Sequence, residues 1–336
     1  MKSIKVRKYY IFAPSNCCSG GPEALHQLAY YMCNVGCDAY IVYYCSIGFL
    51  YSSTISRYQQ YNSRVIEYSK IEDNVDNICI APENAPWCLN GIYNAKKIIM
   101  WLGVGANQVH YPNIKQKIIY LKRRMLSQSL VNARFILYDD SKCIHLCGSK
   151  YAFEYVSKKY PNSRVRYLVE PISKDFYNLG NNYDIKQRRK DIVLYNPSKP
   201  SERMSQLLER AKYEYIPLKG YTPIELAEKY KEAKLYIDLG RFDGPERMPK
   251  EAVYFGCNIL VANHNAAAND FDVAIPNDYK IDDMESVEQI EARFAEMLCH
   301  YEQHYPKFGS FRKKIENLEE TYLQQIKEIF IDGELS

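Results

Sequence analysis

Two doubly wound α/β domains, each a Rossmann-like parallel sheet flanked by helices and facing a common cleft, are what the sequence predicts. Three observations carry this. Short apolar, β-rich runs alternate with amphipathic runs of helical length along most of the chain. At 336 residues the chain is too long for one ordinary core and comfortable as two. Near its middle, 176–190 turns polar with no apolar periodicity and interrupts the alternation. The expected layout is therefore a first domain over 1–175, a linker over 176–190 and a second domain over 191–336.

In the first half the alternation reads as a strand over 4–13, a helix over 22–35, strands over 39–45, 64–68, 77–81 and 97–104, then strands over 133–138 and 164–169. Between them, 113–125 interleaves Lys115, Lys117, Lys122, Arg123 and Arg124 with Ile114, Ile118, Ile119 and Leu121. That is a basic amphipathic helix, which could rest on anionic lipid or be an ordinary solvated face. After the linker come strands over 191–195, 213–217, 234–239 and 258–262, with helices near 202–212 and 223–231 and through Glu251. A long amphipathic helix is expected over 311–330, where Ile315, Leu318, Tyr322, Ile326 and Ile329 recur at near-helical spacing.

Composition excludes several classes. A formal net charge of +4 is small for this length and argues against a nucleic-acid partner. No run reaches the ~18 apolar residues of a membrane span, and the start of the chain reads as a strand, so a cytoplasmic protein is expected, peripheral at most at the inner face of the membrane. The 11 cysteines are scattered through predicted strands and helices, as reduced thiols would be. The pairs Cys33/Cys37 and Cys143/Cys147 lack the second ligand pair that a zinc site needs.

In open parallel sheets ligands sit at the carboxyl ends of the strands, so chemistry is sought in the loops that follow them. After the first strand, Gly20 and Gly21 lie just before a helix, where a backbone can approach a ligand closely; a plain strand-to-helix turn with Pro22 and Glu23 in the first helical turn is the equal alternative. The segment has neither dinucleotide-fingerprint spacing nor a Walker lysine, so no nicotinamide cofactor and no ATP hydrolysis are expected. The densest signal is the loop and helix start after 234–239, which crowds Arg241, Asp243, Glu246, Arg247, Lys250 and Glu251 where a phosphate would meet guanidinium donors and a helix dipole. A solvated, self-neutralising helix start is the alternative. The loop after 191–195 adds Lys199 and Arg203, and with Arg241 and Arg247 these could clamp a diphosphate.

The stretch Glu246-Arg-Met-Pro-Lys-Glu-Ala252, followed by Gly256-Cys257, resembles the donor-site helix of GT-B glycosyltransferases, in the variant found in bacterial surface-polysaccharide enzymes (lipopolysaccharide O-antigen and capsule). Gly20-Gly-Pro-Glu-Ala-Leu-His-Gln-Leu-Ala29, 36–42, 80–83 and 97–102 resemble the same group's first domain, so the likeness spans most of 5–280. The retaining members of that fold carry two glutamates eight positions apart; Asp243 and Glu251 have that spacing, with aspartate in the first position. The resemblance implies that Glu251 holds the donor ribose and that Glu246 and Arg247 contact the donor, which makes Glu246 a candidate catalytic residue.

Sugar transfer needs cations and helix dipoles to receive the charge developing on a departing diphosphate, a role given to Lys199, Arg241, Arg247 and Lys250. No cofactor is expected beyond a diphosphate-activated sugar as co-substrate, and the acceptor is a glycan or lipid-linked glycan. Asp139-Asp140 and Asp282-Asp283 are adjacent pairs rather than a metal-holding Asp-x-Asp, so no metal is expected. Glu83, directly after a strand, is the best-positioned candidate base, with His110 and Asp139/Asp140 also in first-domain loops; His26 reads as a packed residue. Two alternatives stay open: a phosphoribosyltransferase using phosphoribosyl diphosphate on the same fold, and a noncatalytic nucleotide or sugar-phosphate binding module.

Overall fold

The computed structural model describes residues 7–45, 48–105, 143–180, 189–199 and 201–333. The basic run 113–125, the expected strand 133–138, His110 and Asp139/Asp140 lie outside these. The chain divides into two compact units, Met1–Val169 with Tyr322–Ser336, and Glu170–Thr321.

Among the described residues, the first unit is built on a seven-stranded sheet in the order β3-β2-β1-β4-β5-β6-β7. Its strands are β1 (Lys8–Pro14), β2 (Asp38–Cys45), β3 (Gly48–Phe49), β4 (Ile78–Pro82), β5 (Lys96–Trp101), β6 (Cys143–Cys147) and β7 (Arg164–Tyr167). All pairs are parallel except the hairpin of β2 with β3. Tyr9 to Ala13 of β1 are buried throughout, because a central parallel strand is covered on both faces and so reads as an unbroken apolar run rather than an alternation. Helix α1 (Gly20–Asn34) returns the chain from β1 to β2 and ends at Gly36, whose φ of +92° suits glycine. Helix α2 (Lys150–Lys159), capped by Ser149 Oγ accepting from Ala152 N–H at 3.1 Å, joins β6 to β7.

Among the described residues, the second unit holds a five-stranded, all-parallel sheet in the order β12-β11-β10-β8-β9. Its strands are β8 (Lys190–Tyr195), β9 (Glu214–Pro217), β10 (Ala233–Asp238), β11 (Asn258–Ala262) and β12 (Lys280–Ile281). Helices α3 (Lys174–Gly180), α4 (Glu202–Arg210), α5 (Pro223–Glu232), α6 (Arg247–Tyr254) and α7 (Val287–Cys299) follow in order. Capping boxes Thr222/Glu225 and Ser286/Gln289 start α5 and α7.

Four expectations are revised. The strand expected over 64–68 is reduced to an isolated parallel bridge of Val65 with Ile41. Residues 174–180, partly assigned to a linker, form α3, whose Phe176 is fully buried against Phe255 at 5.6 Å. Arg189, at the end of the same polar stretch, is buried: its guanidinium donates to the carbonyls of Tyr230 (2.8 Å), Ala233 (2.6 Å) and Phe255. The terminal segment is two helices, α9 (Gly309–Glu316) and α10 (Leu318–Phe330), after the short α8 (Tyr301–His304), with Asn317 as the break. From Tyr322 onward α10 belongs to the first unit rather than to an autonomous second domain, because its apolar face has partners there. Tyr322 meets Tyr31 edge-on at 5.4 Å, and the Phe330 carbonyl accepts from Tyr9 Oη at 2.9 Å.

Replacing Arg189 by Met keeps the aliphatic stem but strands buried carbonyls. The variant is expected to lose about 3 kcal/mol of stability, read as a lower urea midpoint.

Candidate functional site

A doubly wound sheet opens a crevice where the strand order reverses, because the connections on either side of that point run to opposite faces. In the first sheet the reversal falls between β1 and β4, and in the second between β8 and β10. The loops after those four strands are the ones that carry Gly20/Gly21, Glu83, Lys199 and the run from Arg241 to Glu246.

In the first unit, Gly20 and Gly21 open α1 behind an extended Ser19. A Cβ on Gly21 would stand 3.6 Å from Leu102 Cδ1, an ordinary contact, so internal crowding does not require glycine here. Glu83 is buried and its Oε2 accepts the Leu102 N–H at 3.0 Å, bracing the loop after β5. Glu23, in the first turn of α1, is buried, accepting from Tyr61 Oη at 2.8 Å beside Arg57 at 3.5 Å. His26 is a packed residue: its ring nitrogens lie 3.3 Å from Ser63 Oγ and 3.3 Å from Tyr43 Oη, and burial pushes it down to about 4.

In the second unit, Lys199 reaches across from the loop after β8. Its ammonium pairs with the Glu246 carboxylate, donates to the Arg241 carbonyl at 2.9 Å and lies 5.1 Å from the Phe242 ring. Gly240 makes this approach possible. A Cβ there would fall 2.5 Å from Lys199 Cβ and 2.9 Å from the Lys199 carbonyl oxygen, so the two loops touch only because the side chain is missing. Asp238, at the buried carboxyl end of β10, accepts the Gly240 N–H at 3.0 Å and the Tyr236 hydroxyl at 3.1 Å. Burial raises its pKa, opposed by Lys199 and the Gly240 N–H. Burial likewise raises Glu246, opposed by Lys199 and reinforced by Asp238 and Asp243. His264 Nε2 holds the Gly240 carbonyl at 3.1 Å.

The structure divides the expected clamp. Lys199, Arg241 and Glu246 gather at the switch point, with Arg241 exposed and bonded to Asp243 at 3.1 Å. Arg247 and Lys250, on the first turn of α6, are buried on Glu170: Arg247 Nε meets Glu170 Oε1 at 2.6 Å and Lys250 Nζ donates to the Glu170 carbonyl at 2.6 Å. Burial pushes Lys250 down to about 8 despite that carboxylate. Glu251 is buried and accepts from Tyr230 Oη at 3.2 Å. Arg203 binds the Asp282 carbonyl at 2.6 Å and Asp283 at 3.2 Å, and lines a separate cavity of about 620 Å³ with Arg210 and Glu288. Gly240, Asp238, Glu170 and His264 were missed by sequence reasoning. Only Gly240, next to a strand end and a charged loop, gave a signal that could have been read.

The sequence matches no protein-family model and no curated protein. Solved structures do match. A glycosyltransferase from Rickettsia africae aligns over 98% of this chain and 100% of its own at 12% identity, TM-score 0.60. WaaG, a glycosyltransferase involved in lipopolysaccharide biosynthesis, aligns over 96% and 100% at 13% identity, TM-score 0.60. A DNA-modifying β-glucosyltransferase, whose substrate is uridine diphosphoglucose, aligns over 96% and 99% at 11% identity, TM-score 0.55. The chain has the GT-B fold. At this identity the likeness covers the two Rossmann-like domains and leaves the chemistry to be argued from the GT-B chain's own residues.

Gly240→Ala is expected to cost about 1–3 kcal/mol by forcing the loops apart, with lower Tm and weaker ligand binding at Lys199 measured together. For His26, the unfolded chain takes a proton near 6.5 whereas the folded imidazole waits until about 4. Stability should therefore fall as pH drops through that window, by about 3 kcal/mol in total. Urea titrations across it should show a flatter profile for His26→Gln.

Proposed function

We propose that this chain is a glycosyltransferase that moves a sugar from a diphosphate-activated donor, a nucleotide-sugar, to a surface-polysaccharide acceptor. One observation carries the reading: Lys199, Arg241 and Glu246 converge at the carboxyl ends of β8 and β10, where a doubly wound sheet binds its ligand. Lys199 and Arg241 would receive the charge that develops as the diphosphate departs, with the first turn of α6 adding its dipole. Gly20 and Gly21 leave room for a ligand at the start of α1, and Glu83 is the candidate base on the acceptor side. The transfer is proposed to need no metal. A lipid-linked acceptor at the inner face of the membrane suits the basic run 113–125, and the lipopolysaccharide role of WaaG supports that acceptor class. No helix of the described residues is long and apolar enough to cross a membrane.

Phosphoribosyl diphosphate is less well supported, since a third phosphate needs further cations and Arg247 and Lys250 are engaged by Glu170. A noncatalytic binding module would hold the same ligand without turnover.

Nucleotide-sugars and nucleoside diphosphates are expected to raise Tm by mass action, and Lys199→Ala to remove the shift. Silence from the whole panel overturns the donor site, and a shift without donor hydrolysis or transfer in the presence or absence of EDTA favours the binding module.

A further inference from the structure

The ammonium of Lys199 is already fully engaged. It meets the Glu246 carboxylate and the Arg241 carbonyl and faces the Phe242 ring, and the missing side chain of Gly240 lets the two loops approach this closely. A phosphate oxygen arriving at this cation meets a carboxylate that occupies its position. The surroundings sharpen the conflict. Asp238 faces Glu246 from β10, with Tyr236 beside it; Asp243, itself paired with Arg241, faces it from its own loop; Lys199 faces it from the loop after β8; His264 acts on Asp238 from the loop after β11. Among these, two cations (Lys199, Arg241) stand with three carboxylates (Asp238, Asp243, Glu246), which sums to 2 − 3 = −1. A polyanion joins a net-negative cluster more readily when one of those carboxylates loses its charge or leaves.

We propose that Glu246 is an internal stand-in for the donor's phosphate: the arriving diphosphate displaces its carboxylate from Lys199, and the displaced carboxyl takes up one proton from solvent. This rests on the donor site proposed above. Burial and the neighbouring carboxylates already favour the protonated form of Glu246, and Lys199 is the main contact opposing them. Once that contact passes to phosphate, burial and the carboxylates of Asp238 and Asp243 favour the protonated form. The exchange makes donor binding tighten as pH falls. It also sets a charge threshold, since a monoanion gains little by replacing one carboxylate with another, whereas a diphosphate gains on both Lys199 and Arg241.

The test is calorimetric titration of wild type, Glu246→Gln and Lys199→Ala with inorganic diphosphate and with UDP, in two buffers of different ionisation enthalpy. The ligand's own protonation is common to all proteins and cancels in the comparison. At about pH 8, Glu246→Gln is expected to bind inorganic diphosphate on the order of tenfold more tightly than wild type, the size of a one-unit coupling between neighbouring charges. The advantage should shrink toward about pH 6, where wild type can take up the proton. Wild type should show a proton uptake that Glu246→Gln lacks, and Lys199→Ala should lose binding. Glu246→Ala, which removes the carboxylate by truncation, is expected to behave as Glu246→Gln does. Equal or weaker binding by both Glu246 variants, an unchanged proton uptake, or no diphosphate binding by any of these proteins overturns the assignment. Tighter diphosphate binding by the variants, with UDP and every other nucleotide silent, keeps Glu246 in this role and sinks the nucleotide donor instead.

Discussion

The end of α5 and the end of α6 both deliver their carbonyls to one buried guanidinium. Tyr230, Ala233 and Phe255 all accept from Arg189, so a single side chain neutralises the negative ends of two helices inside the second unit. A second buried arginine, Arg312, donates to the Val253 carbonyl at 3.0 Å, and Tyr301 Oη donates to the Gly256 carbonyl at 2.6 Å. The two cations repel, and burial with that repulsion lowers the pKa of Arg312. Tyr305, Tyr301 and Glu316 offset the effect, with Arg312 lying 3.9 Å over the Tyr305 ring. Everything at the other end of α6 depends on this anchorage. An eight-residue helix has little stability of its own, and its carbonyl end must be satisfied before its amino end can hold charged groups at a fixed position.

At that amino end the electrostatics are costly. Arg247 and Lys250 are taken out of water and set on Glu170, and Asp238 and Glu246 are partly or wholly desolvated beside Lys199. Buried pairs of this kind seldom add net stability, because removing both charges from water offsets most of their attraction. The two groupings differ in what they can do. Glu170 locks Arg247 and Lys250 in a buried cluster, so those cations brace α6. Lys199, Arg241 and Glu246 stand in loops at the switch point, partly exposed, where a ligand can exchange with them. A crowd of six ionisable groups in one short sequence thus resolves into a structural half and an exchangeable half.

Tyrosine, abundant in composition, has a similar division of labour. Tyr10, Tyr31, Tyr43, Tyr58, Tyr61, Tyr230, Tyr236 and Tyr322 are among the largest fully buried side chains. Several use the hydroxyl to satisfy a buried acceptor: Tyr61 on Glu23, Tyr230 on Glu251, Tyr236 on Asp238. A phenylalanine core of the same volume would take one donor from each of those carboxylates.

By itself the sequence determined the alternation of strands and helices, the parallel character of both sheets and the loops at which chemistry had to be sought. Each of these follows from local periodicity and from where a strand ends. It could not determine that 174–180 is a helix, that α10 returns to the first unit, or that Arg189 is buried, because a polar stretch looks alike whether its charges face water or carbonyls some 40 to 70 positions away. The site was legible to the same extent. Lys199, Arg241 and Glu246 stood out as charges after strands, but their meeting depends on the order of β8 and β10 in the sheet and on the missing side chain of Gly240. Glu170, 77 positions from Arg247, decided which cations were left for a ligand, and only tertiary structure brings such distant partners within hydrogen-bond reach.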